Sequence, residues 1–163
     1  MKYLIYFNSS RELSDLIAGH SFDVIPGIGL HSTLCYFVGD NANERSLIED
    51  LDGINFQGFN VKTGSLDTFD DNLVLRLLKT DELSLLHNEI YSVVRRHVVG
   101  DGCGVLDEYF GENYNPHITL SRSSSELDRG VGDLNGVEFS VSNYVLARKY
   151  QENWVDIRAF SVG

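Results

Sequence analysis

The chain is predicted to fold as an α+β protein with largely antiparallel strands and a weak internal duplication. Three observations predict it. Several neighbouring strand-like runs are joined by too few residues for the helix-length crossover that parallel pairing requires. The elements read strand–helix–strand–helix–strand–strand and then helix–strand–strand–strand. The word His-x-Thr-Leu occurs once in each half, as "HSTL" at 31–34 and "HITL" at 117–120.

Taken in order, "YLIYF" at 3–7 is aromatic and β-branched and reads as a strand. Ser9 with Glu12 fits a capping box for a helix with Leu13, Leu16 and Ile17 on one face, stopped at Gly19. "PGIG" at 26–29 is a turn, and 30–38 a strand. Asn41 with Glu44 offers a second capping box ahead of Leu47, Ile48 and Leu51, with Gly53 at the end. Residues 54–63 and 72–79 read as strands around a "DTFDDN" turn. Thr80 caps the longest helix, whose stripe Leu83, Leu86, Ile90, Val94 and Val98 runs to Gly100. "GDGCG" at 100–104 is a loop that lacks the lysine and the context of a phosphate loop. Residues 116–121 form a strand, with Asn115 kept extended by Pro116. After the loop "SSSELDRGVGDLNG", the stretches "VEFSVSNYVLARKY" and "NWVDIRAFSV" read as two strands with a turn at 151–153.

The 163 residues contain two prolines and no Ser/Pro/Gly-rich linker, so one cooperative unit over 1–163 is expected. Hydrophobic residues make up 42%, enough to bury a core. The net charge of −11 excludes a broad basic surface for long nucleic acid. Any phosphate is held by a few local groups, as on a small molecule or a chain end. Cys35 and Cys103 form no CxxC and suggest a reduced, cytoplasmic setting. No signal peptide is read, and the apolar runs fall short of the roughly 18 residues that span a bilayer. No membrane partner is expected.

Side chains on a strand alternate faces, so His31 and Thr33 share one face and Leu34 the other. His117 and Thr119 repeat the pattern against Ile118 and Leu120. From five His, five Thr and twenty Leu, the word arises by accident on the order of 10⁻⁴ per position. Two copies therefore point to function rather than to two ordinary strands. Two imidazoles and two hydroxyls suit acid–base chemistry at phosphorus. A neutral imidazole takes a proton from water, and a charged one gives a proton to the leaving oxygen. Threonine hydroxyls donate to the non-bridging oxygens.

These words, with "HSTLCYFVG", "VKTGSLDTFDDNLVLRL", "NPHITLSR" and the closing "YVLARKYQENWVDIRAFSV", resemble the two-histidine phosphoesterase superfamily. The branch is that of the RNA 2′,3′-cyclic phosphodiesterases, or LigT-like proteins, historically called 2′-5′ RNA ligases. The resemblance covers nearly the whole chain. One departure is Ser32, where the family usually has an apolar residue. The sparse basic charge is another. The resemblance implies a bilobal, pseudo-two-fold fold of two interleaved lobes, with two mostly antiparallel sheets facing a central groove and helices outside. It implies hydrolysis of 2′,3′-cyclic phosphates to 2′-phosphates, with His117 as base, His31 as acid, and Thr33 and Thr119 on the phosphate. The substrate would be a cyclic nucleotide, an RNA 3′-end or an ADP-ribose cyclic phosphate, and the protein a monomer. No metal or other cofactor is implied, and the chain has no HxxxH, HxH or GxxxxGK[ST]. Two alternatives remain open: ATP-independent 2′-5′ ligation of RNA ends, and a non-catalytic module that binds nucleotides or RNA ends.

Other candidates follow from position. Tyr36 and Phe37 are candidates to stack a base, with core packing expected for at least one. Cys35 shares a face with Thr33 by alternation, and burial is its expected fate. Arg122 falls opposite His117 by alternation, at the groove rim or paired with an acid. Arg148 and Lys149 are candidates to meet a phosphate or to be solvated. His20, His87 and His97 read as surface or helix-end residues.

Overall fold

A computed structural model of the chain describes residues 1–22, 27–100, 108–122 and 130–163. Pro26 of the first expected turn, Cys103 with most of the 100–104 loop, and the first part of the 123–136 loop lie outside the described residues. Eight strands are described: β1 (Lys2–Asn8), β2 (His31–Val38), β3 (Phe59–Phe69), β4 (Asn72–Leu77), β5 (His117–Ser121), β6 (Glu138–Val141), β7 (Asn143–Tyr150) and β8 (Asn153–Ser161). Three α-helices accompany them: α1 (Arg11–Gly19), α2 (Glu44–Asp52) and α3 (Asp81–Val94).

Every strand pair is antiparallel, in the order β6-β3-β4-β5-β2-β1-β7-β8. The order divides into two four-stranded halves that meet at β5 and β2, joined by the single bridging pair Ser32 with Ile118. The two expected sheets are thus continuous through one seam, and each His-x-Thr-Leu word lies on a strand of that seam.

Local chemistry explains most elements. Thr80 caps α3 as expected, its hydroxyl accepting from the Leu83 amide at 3.2 Å. The cap of α1 is Ser10 rather than Ser9, accepting from the Leu13 amide at 3.1 Å. The capping box expected at Asn41 and Glu44 does not form. Asp40 instead caps a short 3₁₀ turn over 41–43 that leads into α2. Helix α3 ends at Val94, and Val98 pairs as an isolated bridge with Gly39. The β3–β4 turn narrows to Asp70 and Asp71, both left-handed at φ 46° and 62°, as a two-residue type I′ hairpin requires. The expected long strand over "VEFSVSNYVLARKY" is two strands. β6 pairs with β3 in one half and β7 with β1 in the other, so the chain crosses between the halves at Ser142.

The core lies between the helices and the back of the sheet. Leu13 and Ile17 of α1, Leu47 and Leu51 of α2, and Leu83, Ile90 and Val94 of α3 pack on Ile5, Phe37, Leu75 and Leu146. A second, smaller cluster of Leu4, Tyr6, Val145 and Ala147 lies on the front face, with Tyr36 and Trp154 packed against it. Among the described residues, no helix is long and apolar enough to cross a membrane.

Candidate active site

Both words carry the same irregularity. Ile5 pairs with Cys35 and Tyr6 with Thr33, so Leu34 is an extra residue in β2. Leu73 pairs with Ser121 and Val74 with Thr119, so Leu120 is an extra residue in β5. Each leucine is a β-bulge, which lets two successive residues turn into the core. Leu34 and Cys35 are both buried, as are Leu120 and Ser121.

The bulges shift the phase of the residues after them and correct the face expected for Cys35 and the candidacy of Phe37 as a base-stacking residue, while the burial of Cys35 and the core packing of one of the two rings are as expected. Cys35 leaves the face of Thr33 for the core, where burial pushes its thiol pKa up. Tyr36 takes the front face. Phe37 turns into the core, 1% exposed and stacked on Tyr3 at 5.2 Å, where it cannot reach a ligand. Arg122 lies one residue beyond buried Ser121, past the end of β5, and is exposed. Arg148 is corrected separately. It pairs with core-facing Tyr3, lies on the helix side, and bonds Glu44 at 2.9 Å and Asn41 at 3.0 Å. Lys149 is the basic residue of β7 on the front face, across from Trp154.

Ser32 and Ile118 are the second residues of the two words, so a pseudo-two-fold axis passes between them. In antiparallel register, the flanking positions set His31 across from Thr119 and Thr33 across from His117. Two imidazoles and two hydroxyls therefore share one face around the axis, all four half-buried. Ser32, the departure from the family word, is fully buried on the other side of the sheet.

The imidazoles are held alike. His31 Nδ1 lies 2.8 Å from the Gly29 carbonyl, and His117 Nδ1 lies 2.7 Å from the Asn115 carbonyl. A carbonyl oxygen only accepts, so Nδ1 carries the proton and donates in both. Nε2 is left as the working nitrogen, an acceptor when the ring is neutral and a donor when it is charged. Gly29 has φ +89°, a conformation glycine adopts freely. Burial lowers the pKa of both rings, and each carbonyl bond opposes that shift. His31 is lowered further by His117. His117 is lowered further by Arg76 and raised by Asp70.

Their surroundings differ. Tyr6 meets His31 edge-on at 5.1 Å, and its hydroxyl donates to Asp156 at 2.8 Å. Phe69 lies against His117 at 4.6 Å. A cavity of ≈ 200 Å³ opens at the Thr33–His117 end of the seam, lined by Tyr36, Phe69, Tyr109 and Tyr114 and reaching His87. His87 corrects a sequence expectation. It is 4% exposed, donates from Nδ1 to the Leu34 carbonyl at 2.8 Å, and stacks on Tyr114 at 3.8 Å. Its spacing with Leu83, Ile90 and Val94 was the signal, because those positions form one helical stripe. His20 and His97 are helix-end residues as expected, paired with Asp133 and Asp50 at 2.8 Å each. Among the described residues, no three His, Cys, Asp or Glu side chains converge as a metal-binding group.

No protein-family model matches the chain, and no curated protein matches it in sequence. Solved structures match it nearly end to end. A structure described as a phosphoesterase has a TM-score of 0.71 at 15% identity, covering 99% of this chain and 97% of the other. TT0787 of Thermus thermophilus gives 0.76 at 15%, covering 99% and 98%. E. coli LigT complexed with 3′-AMP gives 0.72 at 14%, covering 99% and 97%. The chain has a LigT-like fold. The bilobal α+β expectation is met, and the seam of this LigT-like sheet is where the two words come together. LigT structures with NADP+, phosphate and ATP match as well.

Proposed function

We propose that the protein hydrolyses 2′,3′-cyclic phosphates, on free nucleotides or RNA ends, to 2′-phosphates without a metal. The observation that carries this reading is the duplicated half-site. Two imidazoles with Nε2 free and two threonines share one face about a pseudo-two-fold axis. His117 Nε2 takes a proton from water as the water oxygen bonds to phosphorus. The P–O3′ bond breaks, and His31 Nε2 gives its proton to O3′. Thr33 and Thr119 donate to the non-bridging oxygens, where charge accumulates. Proton exchange with solvent restores both rings.

Three further features support a nucleotide. The aromatic cavity beside Thr33 and His117 suits a flat base. Arg122, exposed just beyond the end of β5, suits a phosphate. The LigT structures that share this fold hold 3′-AMP and phosphate, which favours a small nucleotide ligand here. The test is product identity: incubation with 2′,3′-cyclic AMP, CMP, GMP and UMP, and with RNA ending in a cyclic phosphate, all in EDTA. The reading predicts 2′-phosphates only. A 3′-phosphate product, or loss of turnover on chelation, counts against it.

A further inference from the structure

The two half-sites are not equivalent, and the difference lies on one residue outside the words. Across the sheet from His31 stands Asn8 of β1, and across from His117 stands Arg76 of β4. Arg76 Nη1 donates to the Asn115 side-chain oxygen at 3.0 Å. Asn115 is the residue whose carbonyl holds His117 Nδ1. On its other side, Nε and Nη2 of Arg76 both bind the Asp67 carboxylate of β3, which also accepts from the Thr68 amide. A clamp therefore runs from β3 through Arg76 to the peptide that orients His117. His31 has no counterpart, because its acceptor is Gly29, which has no side chain to hold.

Resting on the proposed hydrolysis, the geometry points to Arg76 as the positioning residue that makes His117, and not His31, the general base. It acts in two ways. Its fork fixes Asn115 and so aims Nε2 of His117. Its charge stands beside one imidazole only and favours the neutral, proton-accepting form of that ring. The charged and titratable groups around His117 are Arg76 from β4 with its partner Asp67 from β3, Asp70 from the β3–β4 turn, Tyr109 on the cavity wall and His31 from β2. Asp70 works against Arg76, and Asp67 offsets part of its charge, while the net effect of the guanidinium on His117 is still to favour the neutral ring. His31 is common to any account of the pair, so the asymmetry rests on Arg76.

The test uses Arg76→Gln and Arg76→Lys with two readouts. The first is ¹H NMR titration of the histidine ring protons in the free protein, which needs no substrate. Arg76→Gln is expected to raise the titration of His117 without raising that of His31, and Arg76→Lys, which keeps the charge, to restore it. The second is the pH dependence of kcat/KM on a cyclic nucleotide. In Arg76→Gln the acidic limb, set by the base, moves to higher pH while the basic limb stays. In Arg76→Lys the limb returns, but kcat stays on the order of tenfold low because the fork is lost. Movement of the basic limb, an equal shift of both rings, or no shift in a folded Arg76→Gln overturns the proposal. If wild-type protein turns over no cyclic phosphate, the hydrolytic reading fails instead, and the NMR arm still decides whether Arg76 governs His117.

Discussion

His31 and His117 leave their strands in the same way, each one residue before the seam, two before a threonine and three before a bulged leucine. Their settings then diverge. His31 hangs from a glycine carbonyl with Tyr6 edge-on and uncharged Asn8 across the sheet. His117 hangs from a clamped asparagine with Phe69 against it and Arg76 across the sheet. Duplication supplies two copies of a proton-handling group, and acid–base chemistry needs two different ones. The repeated part of the fold aims the rings, and the unrepeated neighbours distinguish them.

The threonines test the symmetric part of this comparison. Thr33→Val and Thr119→Val keep the β-branched shape and remove only the hydroxyl. Each is expected to lower kcat by about 10²–10³, the usual effect of losing one donor to a developing oxyanion. Steady-state kinetics reads this directly. A loss at one threonine with none at the other breaks the symmetry claimed for the phosphate grip.

Tyr36 and Phe37 sharpen the account of the bulge. Phe37→Ala is expected to destabilise the fold by about 3–5 kcal/mol in a denaturant titration. Tyr36→Ala is expected to raise KM for a cyclic nucleotide with little effect on stability. The opposite pattern would put the wrong ring in the groove.

A smaller effect concerns acid stability. His31, His87 and His117 all have pKa values lowered below 6.5 in the fold, chiefly by burial. Between each lowered value and the unfolded value the unfolded chain binds more protons, so stability rises with pH there. The stability is present above about pH 6.5 and is lost as pH falls through the lowered values. Asp50 and Asp67, lowered from 3.8, contribute loss only in a more acidic window. A Tm that stays level from pH 7 down to the carboxylate range would contradict the burial of these rings.

The smallest effects separate Arg148 from Lys149. Arg148→Met breaks a partly exposed ion pair with Glu44 and should change stability by no more than about 1 kcal/mol, with KM unchanged. Lys149→Met removes a front-face charge and should raise KM modestly on an RNA end. An effect of Arg148→Met on KM would mean that this side chain reaches the groove.

Much of the fold and the central quartet was legible from local pattern. The His-x-Thr-Leu words, the alternation that pairs His31 with Thr33, the Thr80 cap and the α3 stripe all depend on near neighbours in sequence. What escaped depends on partners far along the chain. A bulge is one extra residue relative to another strand, so nothing within "HSTLCYF" reveals that Phe37 turns inward. The crossing at Ser142 escaped because the alternation continues through it while the partner strand changes. Arg76 is visible as a lone charge in "NLVLRL", but its place across from His117 exists only in the register of β4 with β5.

If two pseudo-symmetric imidazoles perform one reaction, removing either one disables it. The most direct measurement is single-turnover hydrolysis of 2′,3′-cyclic nucleotides in EDTA by wild type, His31→Ala, His117→Ala and the double variant. The account predicts that each single variant loses about 10²–10⁴ in rate and that the double variant is little worse than either. Retained turnover in either single variant would contradict it.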